Sequence, residues 1–319
     1  MDDLILINYV VFALFLTAFL IEVGIALLIL LSYRLNDKLM KYLMPMWEIN
    51  GTFAIFYVVD LEATYPNILP AAGTIYILPV LLAALFLIFR NAFLAYGEYV
   101  SRDSTKRVYL RVYSIATVIV AFLALSVLSS SVSGIGISLS SHSLDMASLL
   151  FNPFSLMIFV SAALLALFAA MVIFDIRDMG AEILSAVLAV VIILIALQAY
   201  PQYIIDHLLS NIALVSIPVV LIAITLFMHA IRSKASRYAM IITLFISIAI
   251  FELAEYPYLF GGAMNLNSIL ISSPSSSYLL AFSIGGLIVL AALISILIYV
   301  NLIHKNSDDN LPGSDNQSY

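Results

Sequence analysis

Nine runs of mainly apolar residues, each near the length that crosses a bilayer, dominate this chain and leave it few other ways to fold. About 20 such residues wound as a helix cover the roughly 30 Å of hydrocarbon in a membrane. Backbone groups in lipid find no water, so a run of this kind satisfies its own hydrogen bonds by forming a helix. The runs fall near 5–33, 44–61, 69–95, 108–131, 153–174, 181–200, 211–231, 238–256 and 278–303. The second has the shortest apolar centre, because Trp47, Glu48 and Asn50 open it and Asp60 and Glu62 close it. Apolar residues make up 64% of the chain and charged ones 10%, where soluble domains hold about 45–50% and 25%. The fold class expected is therefore an all-α polytopic membrane protein with about nine transmembrane helices.

Basic residues set the orientation, since they collect in cytoplasmic loops. Arg34, Lys38 and Lys41 follow the first run, and Arg90, Arg102, Lys106, Arg107 and Arg111 surround the connection after the third. Arg177 follows the fifth, Arg232, Lys234 and Arg237 the seventh, and Lys305 the ninth. All 13 basic residues share one side of a nine-span arrangement, which puts the N-terminus outside and the C-terminus in the cytoplasm. Losing or adding a span in mid-chain would move some of these clusters across the membrane. The opposite connections, "SSSVSGIGISLSSHSLDM" at 129–146 and "SSPSSS" at 272–277, read as flexible outer loops. They divide the chain into a first four-helix bundle (1–131), a Ser/Gly-rich connection (132–152) and a second four-helix bundle (153–256). An outer loop (257–277), a ninth, extra helix (278–303) and a polar cytoplasmic tail (304–319) complete the expected organisation.

No cysteine is present, which excludes disulfides, thiolate-held clusters and cysteine nucleophiles. Asp2 and Asp3 stand where a basic leader would lie, so the first run reads as a retained anchor. The net charge of −6 includes Asp308, Asp309 and Asp315 in the tail; it points to no nucleic acid and names no partner.

Polar residues inside the apolar runs carry the functional signal. An acid in mid-span costs about 2.5–3.5 kcal/mol on insertion scales, so it faces the protein interior or a wet cavity. Glu22, in "FLIEVGIALL", is such a residue. It fits a protonated group hydrogen-bonded to a neighbouring helix and a proton-path group equally well. Gly24 beside it permits close helix packing. Glu48, in "MPMWEINGTF", is expected at the start of its helix, where free N–H groups and the positive dipole end favour a carboxylate and Pro45 suits the first turn. Helical spacing sets Trp47 on a face with Asn50 and Gly51, and Glu48 on an adjoining face with Thr52. Sequence physics alone favours a plain helix start beside an interfacial tryptophan. Arg90 closes the third run at similar depth and is a candidate counter-ion for Glu48, although span-end arginines commonly reach for the surface.

Glu252 and Glu255, in "FELAEYPYLF", share one helical face near the outer boundary. A solvated pair is the ordinary reading and a cation or proton site the alternative. His142 and His207 fall in outer connections, His304 in the tail and His229 at the inner end of the seventh run. No two are positioned to clamp a haem within a bundle. Nucleotide-loop and zinc-protease spacings are missing too.

The order of several short motifs adds a family resemblance. Pro45-Met46-Trp47-Glu48-Ile49-Asn50 resembles the Pro-x-Trp-Asp-x-Asn signature that opens the second span of subunit II of cytochrome bd-type quinol oxidases. "ALFLIFR" follows at matching distance, with Arg90 on the family's arginine. Asn152-Pro153-Phe154 resembles the family's Asn-Pro-Phe at the start of span five, and "YPYLFGGAMNLNSILISSPSSSYLLAF" its link between the last two spans. The resemblance covers roughly residues 15–303. The family's Gly-Phe-Asp-x-Gly is reduced here to "LIEVG", so Glu22 stands in for its acid only approximately. Glu48 replaces the usual aspartate, Glu252 and Glu255 match no family motif, and the first connection is short.

The resemblance implies a haem-free subunit, binding no cofactor directly, that assembles with a haem-bearing subunit I holding haems b and d. Such a complex oxidises quinol and reduces dioxygen to water in the plasma membrane of a prokaryote. It further implies a cytoplasmic proton route through Glu48 and Glu22, supported by Trp47, Asn50 and Arg90. A structural quinone or membrane lipid in the haem-free bundle also fits. Two rivals from other classes are a proton-coupled secondary transporter, for which repeated halves and broken midplane helices would be expected, and a structural membrane anchor of another redox complex.

Overall fold

The computed structural model describes residues 2–31, 36–66, 68–100, 103–199, 202, 205, 206, 212–271 and 275–308. Arg34, Arg102, His207, Asp309 and Asp315 lie outside the described residues, as do the side chains of Lys38, Lys41, His304 and Lys305. Eleven α-helices are found among the described residues. The long ones are α1 (Asp3–Leu31), α2 (Asn36–Thr64), α4 (Ile77–Ala95), α5 (Asp103–Ser133), α7 (Pro153–Ile173), α8 (Met179–Ala196), α9 (Ile212–Ala230), α10 (Ser236–Glu255) and α11 (Ser275–Asp308). Two short ones are α3 (Ile68–Ile75) and α6 (Met146–Phe151). Seven of the long helices are apolar enough over 18 residues to cross a membrane. The two that fall short are α2, interrupted by charged residues, and α9, whose described apolar stretch is Ser216–Ala230. Each long helix nonetheless coincides with one of the nine expected spans.

Local chemistry explains where the helices begin and bend. The Asn152 side chain accepts from Ser155 N–H at 2.8 Å while Pro153 takes the first helical position of α7, so the Asn-Pro-Phe sequence is a helix cap. Asp178 caps α8 through Ala181 N–H at 3.1 Å. The third expected span, 69–95, is divided: α3 stops at Ile75 and α4 restarts at Ile77, with Tyr76 at φ −96°, ψ 17° between them. Pro79 has no N–H to continue the ladder across that point. The second expected span, 44–61, is longer than its apolar centre. The helix begins at Asn36 and carries Pro45 in its interior, a break in hydrogen bonding that neighbouring helices and polar side chains can accommodate in a membrane protein.

Helix α1 is the hub. It packs on α2, α5, α7, α10 and α11, while α4 lies on α5, α8 on α7 and α9 on α10. One group of four (α1, α2, α4, α5) thus meets another (α7–α10), and α11 sits outside on α1 and α2. A single apolar core crosses the seam, joining Leu16, Phe19 and Val23 of α1 to Tyr113 and Val120 of α5, Phe168 and Met171 of α7, and Leu244 of α10. Gly24 makes the closest approach: a Cβ there would fall 2.1 Å from the Ala166 carbonyl oxygen and 2.7 Å from Ala170 Cβ of α7. The extra helix is fastened by polar atoms. Buried Asp60 of α2 accepts from Asn8 Nδ2 of α1 at 2.8 Å and from the Ser283 hydroxyl of α11.

The serine-rich connections were expected to be flexible loops, and the first is instead regular. Strand β1 (Ile137–Ser138) pairs antiparallel with β2 (Ser143–Leu144), and β3 (Tyr258–Leu259) with β4 (Met264–Asn265). Serine hydroxyls organise the approach by bonding back to the chain: Ser130 to Ile135 O at 2.7 Å and Ser133 to Ser129 O at 2.7 Å. The second hairpin is tied to the end of α5 through Phe260 N–H to Ser131 O (2.6 Å) and Gly261 N–H to Val132 O (3.0 Å). Gly261 has φ +66°, and a Cβ would lie 2.7 Å from Ser133 O, so the junction requires glycine. These hairpins define one face of the molecule, and the first turns of α5 with Lys106 and Arg107, together with the connections carrying Arg177, Arg232 and Lys234, define the other, basic face.

Candidate functional site

Helical geometry turns Glu22 of α1 away from lipid into the first group of helices, where it is completely buried. Arg90 of α4 places Nη1 3.1 Å from Glu22 Oε1, and the Tyr113 hydroxyl of α5 donates to the same oxygen. Asn50 of α2 donates from Nδ2 to Glu22 Oε2 at 2.5 Å and reaches Ala18 O at 3.3 Å. Three helices therefore supply one buried carboxyl of a fourth with its partners. Arginine keeps its charge in any protein setting, and Glu22 is the carboxyl within reach to balance it. A buried pair is tolerated when its remaining lone pairs and protons are hydrogen-bonded. Asn91 contributes here: its Oδ1 accepts from Arg90 Nε at 3.2 Å and from Trp47 Nε1 at 2.7 Å.

The structure thus brings Glu22, Asn50 and Arg90 into direct contact, with Trp47 one residue removed. Two expectations are corrected. Arg90 pairs with Glu22 rather than with Glu48. Glu48 is not at a helix start, since α2 begins twelve residues earlier at Asn36; its side chain is exposed, and its backbone carbonyl accepts from Thr52 Oγ1 at 3.0 Å. The free N–H groups and dipole end invoked for it belong to the residues near Asn36. Tyr113 and Asn91 were not anticipated. Asn91 could have been found as the polar neighbour of Arg90, whereas a tyrosine inside an apolar run carries no signal of its own.

Because α2 packs mainly on α1 and α11, a space remains between it and α4 and α5. It is a cavity of about 1040 Å³ lined at one end by Trp47, Glu48, Arg90 and Asn91. Its middle is walled by residues such as Phe12, Phe19, Val120 and Leu128, and its far end by Tyr65, Glu252 and Glu255. Glu252 and Glu255, expected to be solvated, are each only 6% exposed. They line the cavity together with Leu259 and Phe260 of the second hairpin.

His229, at the inner end of the seventh run, is buried against Glu182 of α8, with Nε2 3.5 Å from Oε1. His142 lies in the turn between β1 and β2 on the opposite face. Among the described residues, no group of three or more His, Asp or Glu is gathered to hold a metal ion.

Residues 4–303 match the family model for cytochrome bd terminal oxidase subunit II. The chain belongs to that family. The match spans both helix groups and the extra helix, and it agrees with the motifs at Pro45–Asn50, Arg90 and Asn152–Phe154. As a subunit II family member, the chain is part of an oxidoreductase complex of the respiratory chain and works beside a partner oxidase subunit. It is a multi-pass membrane protein of the kind found in prokaryotic plasma membranes. A chain in the solved structure of the bd oxidase from Geobacillus thermodenitrificans superposes with a TM-score of 0.75 at 18% identity, over 95% of this chain and 99% of that one. At that identity the likeness speaks for the fold alone. No curated protein matches by sequence.

Proposed function

We propose that this chain is the haem-free subunit of a quinol:dioxygen oxidoreductase, pairing with a subunit I that carries haems b and d, and that its Glu22 cluster serves proton delivery. The reaction of the complex balances as two quinols and one dioxygen giving two quinones and two waters. Oxidation of quinol releases protons on the hairpin face, taken as the outside, and water formation consumes protons drawn from the basic face, taken as the cytoplasm. The chain's own residues would serve the second half. Glu48 is exposed toward the basic end of the cavity and can exchange protons with water. Glu22 lies deeper, with Asn50 and Tyr113 as hydrogen-bonding neighbours and Arg90 as the fixed charge.

The observation that carries this reading is the buried Glu22–Arg90 pair within a chain of this family. A buried ion pair is seldom worth keeping for stability alone, since apolar replacements commonly do as well. The apolar middle of the cavity suits a structural quinone or a lipid chain, whose role would be to fill the haem-free group of helices.

The test is to purify the complex through a tag on this chain and compare wild type with Glu48→Gln and Glu22→Gln. Glutamine keeps size and hydrogen bonding but cannot accept and release a proton in this role. Both variants should retain b- and d-type haem spectra, and turnover should fall, with Glu48→Asp much milder because it restores the family's residue. Full turnover across pH in both glutamine variants would refute the proton-delivery role, and a tagged complex without haem would refute the oxidase pairing.

A further inference from the structure

The end of the cavity nearest the hairpins is chemically unbalanced. Glu252 and Glu255 sit three residues apart on the last turn of α10, both line the cavity and both are 6% exposed. Glu252 Oε2 and Glu255 Oε1 have no hydrogen-bond partner. Their placement compounds the problem. Like charges at this helical spacing repel, and a helix C-terminus carries partial negative charge that disfavours a carboxylate. Leaving an ionised carboxylate buried and unpaired is among the more costly arrangements a protein can adopt.

The neighbouring groups do not relieve it. Tyr9 of α1, Tyr57 and Asp60 of α2, and Tyr65 and Tyr256 stand close enough to interact electrostatically with the acids or with one another, and all are neutral or acidic. Among the described residues lining the cavity, the only cationic side chain is Arg90, at the opposite end and engaged by Glu22. A second, independent sign comes from Tyr65. Its ring is 1% exposed, it lines the same end of the cavity, and its hydroxyl also lacks a partner. Buried hydroxyls are nearly always hydrogen-bonded, so three residues from two separate parts of the chain, each with an unsatisfied oxygen, line the same cavity.

We infer that this end of the cavity is a binding site for one monovalent metal cation, of the sodium or potassium class, held by the carboxylates of Glu252 and Glu255 with the Tyr65 hydroxyl as a neutral oxygen. Oxygen-only donors suit a hard cation. Magnesium demands a near-ideal octahedron and gives up its waters reluctantly, which two carboxylates and a phenol in an apolar wall serve poorly, whereas a monovalent ion accepts irregular geometry and sheds water more readily. A single monovalent ion leaves one negative charge, which a proton retained by the second carboxyl neutralises. The site lies on the face opposite the Glu22 cluster and does not depend on the oxidase reading.

The complex, purified in choline chloride, is titrated with NaCl, KCl, or MgCl2 at constant ionic strength while its melting temperature is followed. Binding to the folded state should give a saturable rise, on the order of 2–4 °C, with sodium or potassium and not with magnesium. Glu252→Gln/Glu255→Gln removes both charges at nearly constant volume, so it should fold and melt in choline at least as high as wild type, with the response abolished. Equilibrium binding of radioactive sodium or rubidium should show about one site per complex lost in the double variant. The inference is overturned by no saturable response to either monovalent ion, by an equal response in the double variant, by a response to magnesium only, or by a dependence on pH alone, which would mean that the pair holds protons and no metal ion.

Discussion

Gly24→Ala tests whether the seam between the two helix groups is as tight as the geometry says. The added Cβ would lie 2.1 Å from the Ala166 backbone oxygen. To restore an ordinary contact of 3.4 Å, α1 and α7 must part by about 1.3 Å. Two effects oppose each other. Alanine improves helix propensity by about 0.8–1.0 kcal/mol over glycine, whereas overpacking a close contact costs about 1–3 kcal/mol. The obstacle here is backbone, which cannot swing aside as a side chain would. A radial gap of only 0.5–1 Å already forfeits roughly a quarter to a half of each dispersion contact along the seam. In a membrane those contacts, rather than hydrophobic burial, hold helices together. The cost therefore falls at the upper end of its range, and the net loss should be about 2 kcal/mol. Heat-step size exclusion of the tagged complex would read it as a melting temperature lower by several degrees. Ala170→Gly in the same chain relieves only the 2.7 Å contact with Ala170 Cβ and should recover little. Wild-type stability in Gly24→Ala, or full rescue by Ala170→Gly, would refute the reasoning.

Four further outcomes are expected. Glu22→Gln and Arg90→Met should each destabilise by about 3–5 kcal/mol because each strands a buried partner, and the double variant should recover about 2 kcal/mol or more in a thermal double-mutant cycle. Ser283→Ala should cost about 1 kcal/mol at most, since the hydroxyl also bonds Leu279 O, and Asp60→Ala about 1–3 kcal/mol, since it leaves buried Asn8 without its acceptor; melting temperatures of the complex check this order. The Arg177 hydrogen bond, helped by Arg237, holds the Asp175 carboxyl below its ordinary range. That stabilisation is present above the ordinary carboxylate value and fades as pH falls through the lowered one. Because the groups are partly exposed, Arg177→Ala should lose no more than a few tenths of a kcal/mol at neutral pH, and the gap to wild type should close in acid melts. Cysteines introduced at Ser104 and Ser275 should react with an impermeant thiol reagent from opposite sides of sealed vesicles, as all basic clusters on one side require.

The helices were legible because apolar length and basic flanks are local properties. Lipid leaves a backbone of that length little choice, and the nine long helices follow the nine runs. The limits of α2 were not legible, because Lys38, Lys41 and Pro45 read as a connection and a helix start while the chain in fact stays helical through all three. That misplacement carried Glu48 with it. The Glu22 cluster shows a different limit. Each member stood out as a polar residue in an apolar run, but which of them meet depends on how four helices are rotated about their axes, and an apolar run says nothing of rotation when it is apolar on all sides. Arg90 was therefore assigned to the acid at similar depth instead of the one it faces. Burial of Glu252 and Glu255 was hidden for a related reason: they face a cavity shared with residues of α1, of α2 and of the hairpin at 258–265, which read as loop.

The central position of α1 has a consequence for how the protein is made. Glu22 leaves the ribosome well before Arg90, and at about 5–20 residues per second the gap is roughly 3–14 s. During that interval the first helix must enter the bilayer with an acid whose partner does not yet exist. An acid without a partner is costly in hydrocarbon, and the helix can insert only if the rest of its residues outweigh it. Helix α1 ends among the most buried in the protein, where lipid no longer selects for greasiness. Its many leucines, isoleucines and valines are best understood as the provision for those first seconds, when it stands in the membrane alone.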